Sequence, residues 1–201
     1  MSTKLAKLVL IVLALLGSYA LASTSATNTN TVSPITKITA NVQSAIQLTL
    51  ATGTGCAITA GGGTDYAMSF GNVDALGING PACGSKFAPT TPGVTNSAYY
   101  SDYVLTPVFS SQSVSTNTLN AYVSVNFAKS NLTVVQAINA PGSIAGLTPM
   151  STNATSQTSV ATNAASGVSL TRYIGVTVAP TNAAGLTGAD AATITYTLTV
   201  Q

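Results

Sequence analysis

The chain has 201 residues, 46% hydrophobic and only 5% charged, with six Lys plus Arg, four Asp, and no His, Glu or Trp. Thr, Ser and Asn, numbering 32, 22 and 14, supply the polarity instead. One domain's length with so few cations excludes a nucleic-acid groove, and the lack of His and Glu removes most acid–base, zinc and iron chemistry.

Read from its start, the chain has Lys4 and Lys7 before an apolar run, Leu8 to Leu16, then Gly17, Ser18 and the triplet Ala20-Leu21-Ala22. A positive region, a short apolar stretch and a small-x-small site describe a secretory signal peptide over 1–22. The run is shorter than the roughly 20 residues a membrane-spanning helix needs. Membrane contact is therefore expected only through this transient leader. The mature protein is expected to be secreted, extracellular or at the cell surface, with periplasmic transit. Without residues 1–22, Lys37, Lys86, Lys129 and Arg172 balance Asp65, Asp74, Asp102 and Asp190. A neutral surface repels its neighbours weakly and permits self-association.

Residues 23–34 read as a flexible polar extension, and 35–201 as a single β domain. Period two dominates from there. Ile38, Ala40, Val42, Ile46, Leu48 and Leu50 share one face, and Tyr66, Met68 and Phe70 alternate up to Gly71. Leu119, Ala121, Val123, Val125 and Phe127 make the clearest strand. Leu132, Val134 and Ile138 follow, then Leu170, Ile174, Val176 and Val178, and finally Ile194, Tyr196, Leu198 and Val200. These runs are rich in β-branched and aromatic residues and are punctuated by Gly, Pro, Asn and Ser. They predict an all-β, antiparallel β-sandwich of roughly seven to nine strands. Phe70, Val123, Val125, Ile174 and Leu198 are expected in its core. Residues 71–98 and 141–167 read as long loops, the second with the alternative of a weak edge hairpin.

Cys56 and Cys83 suit an oxidising compartment and are expected to form a disulfide, the alternative being two buried thiols. Tyr99, Tyr100 and Tyr103 form the densest aromatic group. They read either as a sugar-stacking platform or as strand-end packing with wet hydroxyls. No Ser or Thr has a His base, the Asp residues do not form a calcium loop, and two thiolates without His do not make a zinc site. No catalytic residue, metal or cofactor is assigned. Asn131-Leu132-Thr133 and Asn153-Ala154-Thr155 match a glycosylation sequon.

Two further stretches carry a resemblance. A strand leads into Cys56-Ala57-Ile58, and a turn separates it from Met68-Ser69-Phe70-Gly71-Asn72-Val73. That order resembles the opening of secreted pilin-like domains, including the spore coat U group of the chaperone-usher class. The alternating strand that ends at Gln201, with Gly188 upstream, is similar to their last strand. Tyr196 is not penultimate and Cys83 lies in a Gly/Pro-rich loop, which departs from the pattern. The resemblance implies an Ig-like, pilin-like sandwich that polymerises by donating an N-terminal strand. It also implies partners: copies of itself or related subunits, a periplasmic chaperone and an outer-membrane assembly system.

An incomplete sandwich accepts an added strand on physical grounds as well. The segment with Val32, Ile35, Ile38, Ala40 and Val42 is the candidate donor, the alternative being an ordinary first strand of its own domain. The leading expectation is a non-enzymatic structural subunit of an extracellular fibre, pilus-like filament, coat or biofilm matrix. The second is a monomeric secreted β-sandwich binding module, for surface polysaccharide or adhesin-like.

Overall fold

The computed structural model describes residues 46–62, 65–110, 116–180 and 188–200. The expected signal peptide, the 23–34 extension and the segment bearing Val32, Ile35, Ile38, Ala40 and Val42 lie outside the described residues.

The strands are β1 (Ile46–Thr52), β2 (Thr59–Gly62), β3 (Asp65–Ala67), β4 (Ser85–Phe87), β5 (Ser97–Phe109), which no predicted run covers, and β6 (Asn117–Val125). They continue as β7 (Leu132–Ala137), β8 (Thr148–Pro149), β9 (Thr158–Thr162), β10 (Leu170–Val178) and β11 (Thr193–Val200). The only helical element among the described residues is a 3₁₀ turn at Ile144–Gly146. The chain is all-β, and its pairings are antiparallel.

A six-stranded sheet has the order β1-β5-β10-β7-β8, with β4 also on β5, and a three-stranded sheet has the order β11-β6-β9. β2 and β3 make a separate hairpin. The two sheets face each other across one apolar cluster: Tyr103, Leu105 and Val134 from the larger meet Leu119, Ala121 and Val160 from the smaller. Alternation explains this, because successive side chains of a strand point to opposite faces.

The registers give the sandwich two ends. Ser97, Val178, Leu132, Val125 and Thr193 lie at one, hereafter the Ser97 end. Ile46, Phe109, Asn117 and Val200 lie at the other, the Phe109 end. Asn117 and Phe109 are tied together there through Ala164 and Ser166.

Val123, Ile174 and Leu198 take their expected places in the shared core, and Phe70 joins a second cluster with Tyr99, Val176 and Val178 at the Ser97 end. Val125 does not: it is 59% exposed. The β6–β11 ladder pairs Thr193 with Val125 and Ile194 with Val123, so it skips Ser124. One extra residue breaks the alternation, and the side chains beyond it no longer follow the face on which the run began.

The two expected loops also hold short strands. β4 lies within 71–98, and β8 and β9 lie within 141–167. β4 and β8, of three and two residues, are too short to show a period, and in five-residue β9 a skipped Val160 interrupts it. β7 departs from simple alternation because both its faces are covered. Val134 joins the core between the sheets, whereas Val135 and Ala137 pack outward with Leu147, just after the 3₁₀ turn.

Candidate functional site

The three tyrosines do not make a stacking platform. Residues 99 and 103 of one strand share a face and residue 100 takes the other. Tyr99 and Tyr103 are 0% and 1% exposed, inside the sandwich. The Tyr99 hydroxyl donates to the Asp74 carbonyl at 3.2 Å, and the Tyr196 hydroxyl donates to that of Tyr103 at 3.0 Å. Burial pushes the Tyr103 phenol up to about 12 and the Tyr196 phenol well above its ordinary value. Tyr100, on the outer face, stacks on Phe87 with ring centroids 4.9 Å apart. The aromatic group is core and sheet packing, because its spacing divides it between two surfaces.

Cys56 and Cys83 are bridged, with Cα atoms 4.8 Å apart. Their position explains the bridge's role. β1 pairs with residues 103–109 of β5, and β4 pairs with residues 98–100 on the same side. The two are halves of one edge strand, and residues 53–84 form an excursion between them. At the break, the Ser101 hydroxyl accepts from the Cys56 amide at 2.7 Å. The Asp102 carboxylate accepts from the Thr54 and Gly55 amides at 2.6 and 2.8 Å. Gly84 passes this neck with φ +77°, where a Cβ would lie 2.5 Å from the Tyr100 carbonyl oxygen. Only glycine fits such a backbone at such a distance.

Most of the described charges bind backbone. Asp74 accepts from the amides of Leu76, Ile78 and Asn79 at 2.8, 3.1 and 2.6 Å. Lys86 Nζ donates to the carbonyls of Gly77, Ile78 and Asn79 at 2.6, 3.3 and 3.1 Å. One loop, 74–79, is thus clamped through both polarities of its peptide groups. Asp190 accepts from the Ala128, Lys129 and Ala191 amides, and Lys129 Nζ donates to the Ala189 carbonyl. Burial tends to raise the Asp74 and Asp102 pKa values, but the donated amides outweigh it and hold both carboxyls low. The Lys129 amide foremost does the same for Asp190. These side chains act as loop staples. The Asp74-x-x-Gly77 spacing is a turn signature that could have located the clamp in the sequence; the carbonyl cage around Lys86 has no sequence signal. No cluster of three or more metal-ligating residues occurs among the described residues.

The seams between the sheets differ. On the side of β9, Arg172 points inward and its Nε donates to the Val160 carbonyl at 2.7 Å. Val160 is the residue the β6–β9 ladder skips, so its carbonyl needs this partner. Gln136 Nε2 reaches the Ser159 carbonyl at 3.4 Å on the same side. The opposite seam lies between β1 and β11, each an edge strand among the described residues. Leu48, Leu50, Ile194, Tyr196 and Leu198 pack there on the core but remain partly exposed, and Ile46 is 55% exposed. Ile58 and Met68 of the excursion also reach this cluster. Among the described residues, the arrangement offers an unpaired ladder edge beside an incompletely covered apolar face.

Among the described residues, no helix is long and apolar enough to cross a membrane. Comparison with protein-family models, with curated proteins and with solved structures finds no match.

Proposed function

We propose that the chain is a secreted, non-enzymatic structural subunit of an extracellular fibre, coat or matrix, assembled by strand donation between copies. The carrying observation is the β1–β11 seam. An extended segment added there gains main-chain bonds from the β11 edge and buries alternate side chains against Leu48, Leu50 and Leu198. Of the candidate donor residues, Val32, Ile38, Ala40 and Val42 fall on one face of an extended segment and Ile35 on the other, and the disulfide suits an exported protein. A chaperone and an outer-membrane assembly system are the partners that the pilin-like resemblance implies.

On the β11 edge, direction favours donation over self-pairing. The chain enters the body at Ile46, at the Phe109 end, where β11 terminates in Val200. Only residues 43–45 separate Val42 from that point. A chain's own segment would therefore lie parallel to β11, and parallel pairing is the slightly less stable kind. A segment from another copy is free to enter antiparallel.

The test is size analysis and electron microscopy of the purified mature protein. The reading expects filaments and a ladder of multimers that resist SDS, abolished by Ile38→Asp, which would bury an unpaired carboxylate. A clean monomer overturns it and favours the binding module.

A further inference from the structure

We propose that the clamped 74–79 loop is the stacking contact between successive copies, its Ile78 and Leu76 seating on the Phe109 end of the next subunit. This rests on the strand-donation reading and names a second surface that assembly uses.

The geometry follows from the registers. β11 runs from Thr193 at the Ser97 end to Val200 at the Phe109 end. An antiparallel donor runs the other way, so its Val42 leaves the groove at the acceptor's Ser97 end. The four steps from Val42 to the donor's own Ile46 then span at most about 14 Å. Ile46 marks the donor's Phe109 end. The Ser97 end of one copy and the Phe109 end of the next are thereby brought together, head to tail.

The 74–79 loop belongs to that Ser97 end. Its first residue is bonded to Tyr99, and the hydroxyl of Ser97 donates to the Asp74 carbonyl. Ile78 is 75% and Leu76 46% exposed, in a loop otherwise held by six bonds from Asp74 and Lys86. Gly77 adds to this with φ +64°, packed where a Cβ would meet Pro89 Cδ at 2.9 Å. Two apolar side chains on a preorganised loop cost little ordering entropy when they dock. Ile78, at 75%, is the most exposed of the large apolar side chains among the described residues. The facing end has a concavity of about 300 Å³ lined by Phe109, Asn117, Asn163 and Ala164, among others. Neither surface carries a described charge that would oppose the contact. Asp74 and Lys86 are turned into their own loop.

The experiment uses the mature full chain with Ile78→Asp, and with Ile138→Asp as a control at another exposed apolar residue. SDS-resistant multimers report strand insertion, and electron microscopy reports filament growth and axial order. Ile78→Asp is expected to keep the SDS-resistant dimer but slow filament growth by about tenfold or more, whereas Ile138→Asp grows normally. A photo-crosslinking residue placed at position 78 should capture peptides of the neighbour that contain Phe109 or residues 163–166. Filaments of Ile78→Asp with unchanged rate and order, or crosslinks confined to other surfaces, overturn the contact while leaving strand donation intact. A wild-type chain with neither ladder nor filaments overturns strand donation and the contact with it.

Discussion

Cys56 and Cys83 close the neck of an excursion that interrupts one edge strand, joining the end of β1 to the start of β4. Between them the chain sends Ile58 and Met68 into the central core and Phe70, Val73 and Ala75 into the cluster at the Ser97 end. The bridge thus holds the segment that plugs one end of the sandwich. Replacing both cysteines by Ala should cost about 2–4 kcal/mol, since it frees a long loop in the unfolded chain. Denaturant titration of the double variant checks this, and a change within about 0.5 kcal/mol would show that side-chain packing alone secures the excursion.

The pH dependence should be flat near neutrality and steep in acid. Asp74, Asp102 and Asp190 all titrate below their ordinary value of 3.8. A depressed folded pKa gives stability that is present above the ordinary value and lost as pH falls through the folded one. The chain has no His. Melting temperatures should therefore hold steady from about pH 5 to 8 and drop below about pH 4. In Asp74→Asn the acid drop should be shallower and the neutral value lower. The buried phenols act with the opposite sign: Tyr103, raised to about 12, favours the folded state below the ordinary phenol value, and that support is lost as pH rises through 12.

The break at Ser124 separates two valines of one run. Val123→Ala removes a buried side chain between the sheets and should cost about 1–3 kcal/mol. Val125→Ala removes an exposed one and should change stability by less than about 0.5 kcal/mol. Equal losses would mean that the ladder runs straight through Ser124.

That pair also shows what the sequence could disclose. Period two located β1, β6, β7, β10 and β11 and put Val123, Ile174 and Leu198 in one core, because burial of one face writes itself into alternation, but no run was read over β5, the longest strand. It failed at Val125 because a skipped residue is a property of two strands in register, which neither strand's own pattern records. Tyr99, Tyr100 and Tyr103 were legible as a group but not as two faces, because no strand had been read through all three. The disulfide was legible from the even cysteine count together with the expected export signal. The Asp74 and Lys86 clamp was not, since a loop held by its own carbonyls depends on where distant backbone happens to fold.

Arg172 tests the closed seam. Its guanidinium supplies the partner for the Val160 carbonyl, which belongs to a fully buried residue that the ladder skips. Arg172→Met keeps most of the stem's packing but leaves that carbonyl unpaired, at a cost of about 1–3 kcal/mol. Amide exchange should speed up in β9 first and in β1 little. Uniform acceleration across both sheets would show that Arg172 supports the whole fold rather than one seam.

The open seam invites the complementary test. A chain beginning at Gln43 keeps β1 and β11 but lacks the candidate donor, so its groove must stay exposed or be filled in trans. Adding a peptide of residues 32–42 should raise its melting temperature in a concentration-dependent way, because a ligand that binds only the folded state stabilises by mass action. At a hundredfold excess over the dissociation constant the gain is about 2.7 kcal/mol. A peptide carrying Ile38→Asp should give none of it, since the carboxylate would enter an apolar groove unpaired. Thr39→Asp, on the opposite face of the segment, should bind nearly as well as the parent peptide. Leu198→Asp in the acceptor should lower both its own stability and its response to the parent peptide, because Leu198 lies on the inner face of β11. If both substituted peptides stabilise the truncated chain as well as the parent does, the segment does not use its alternating face, and residues 32–42 are a tether rather than a strand.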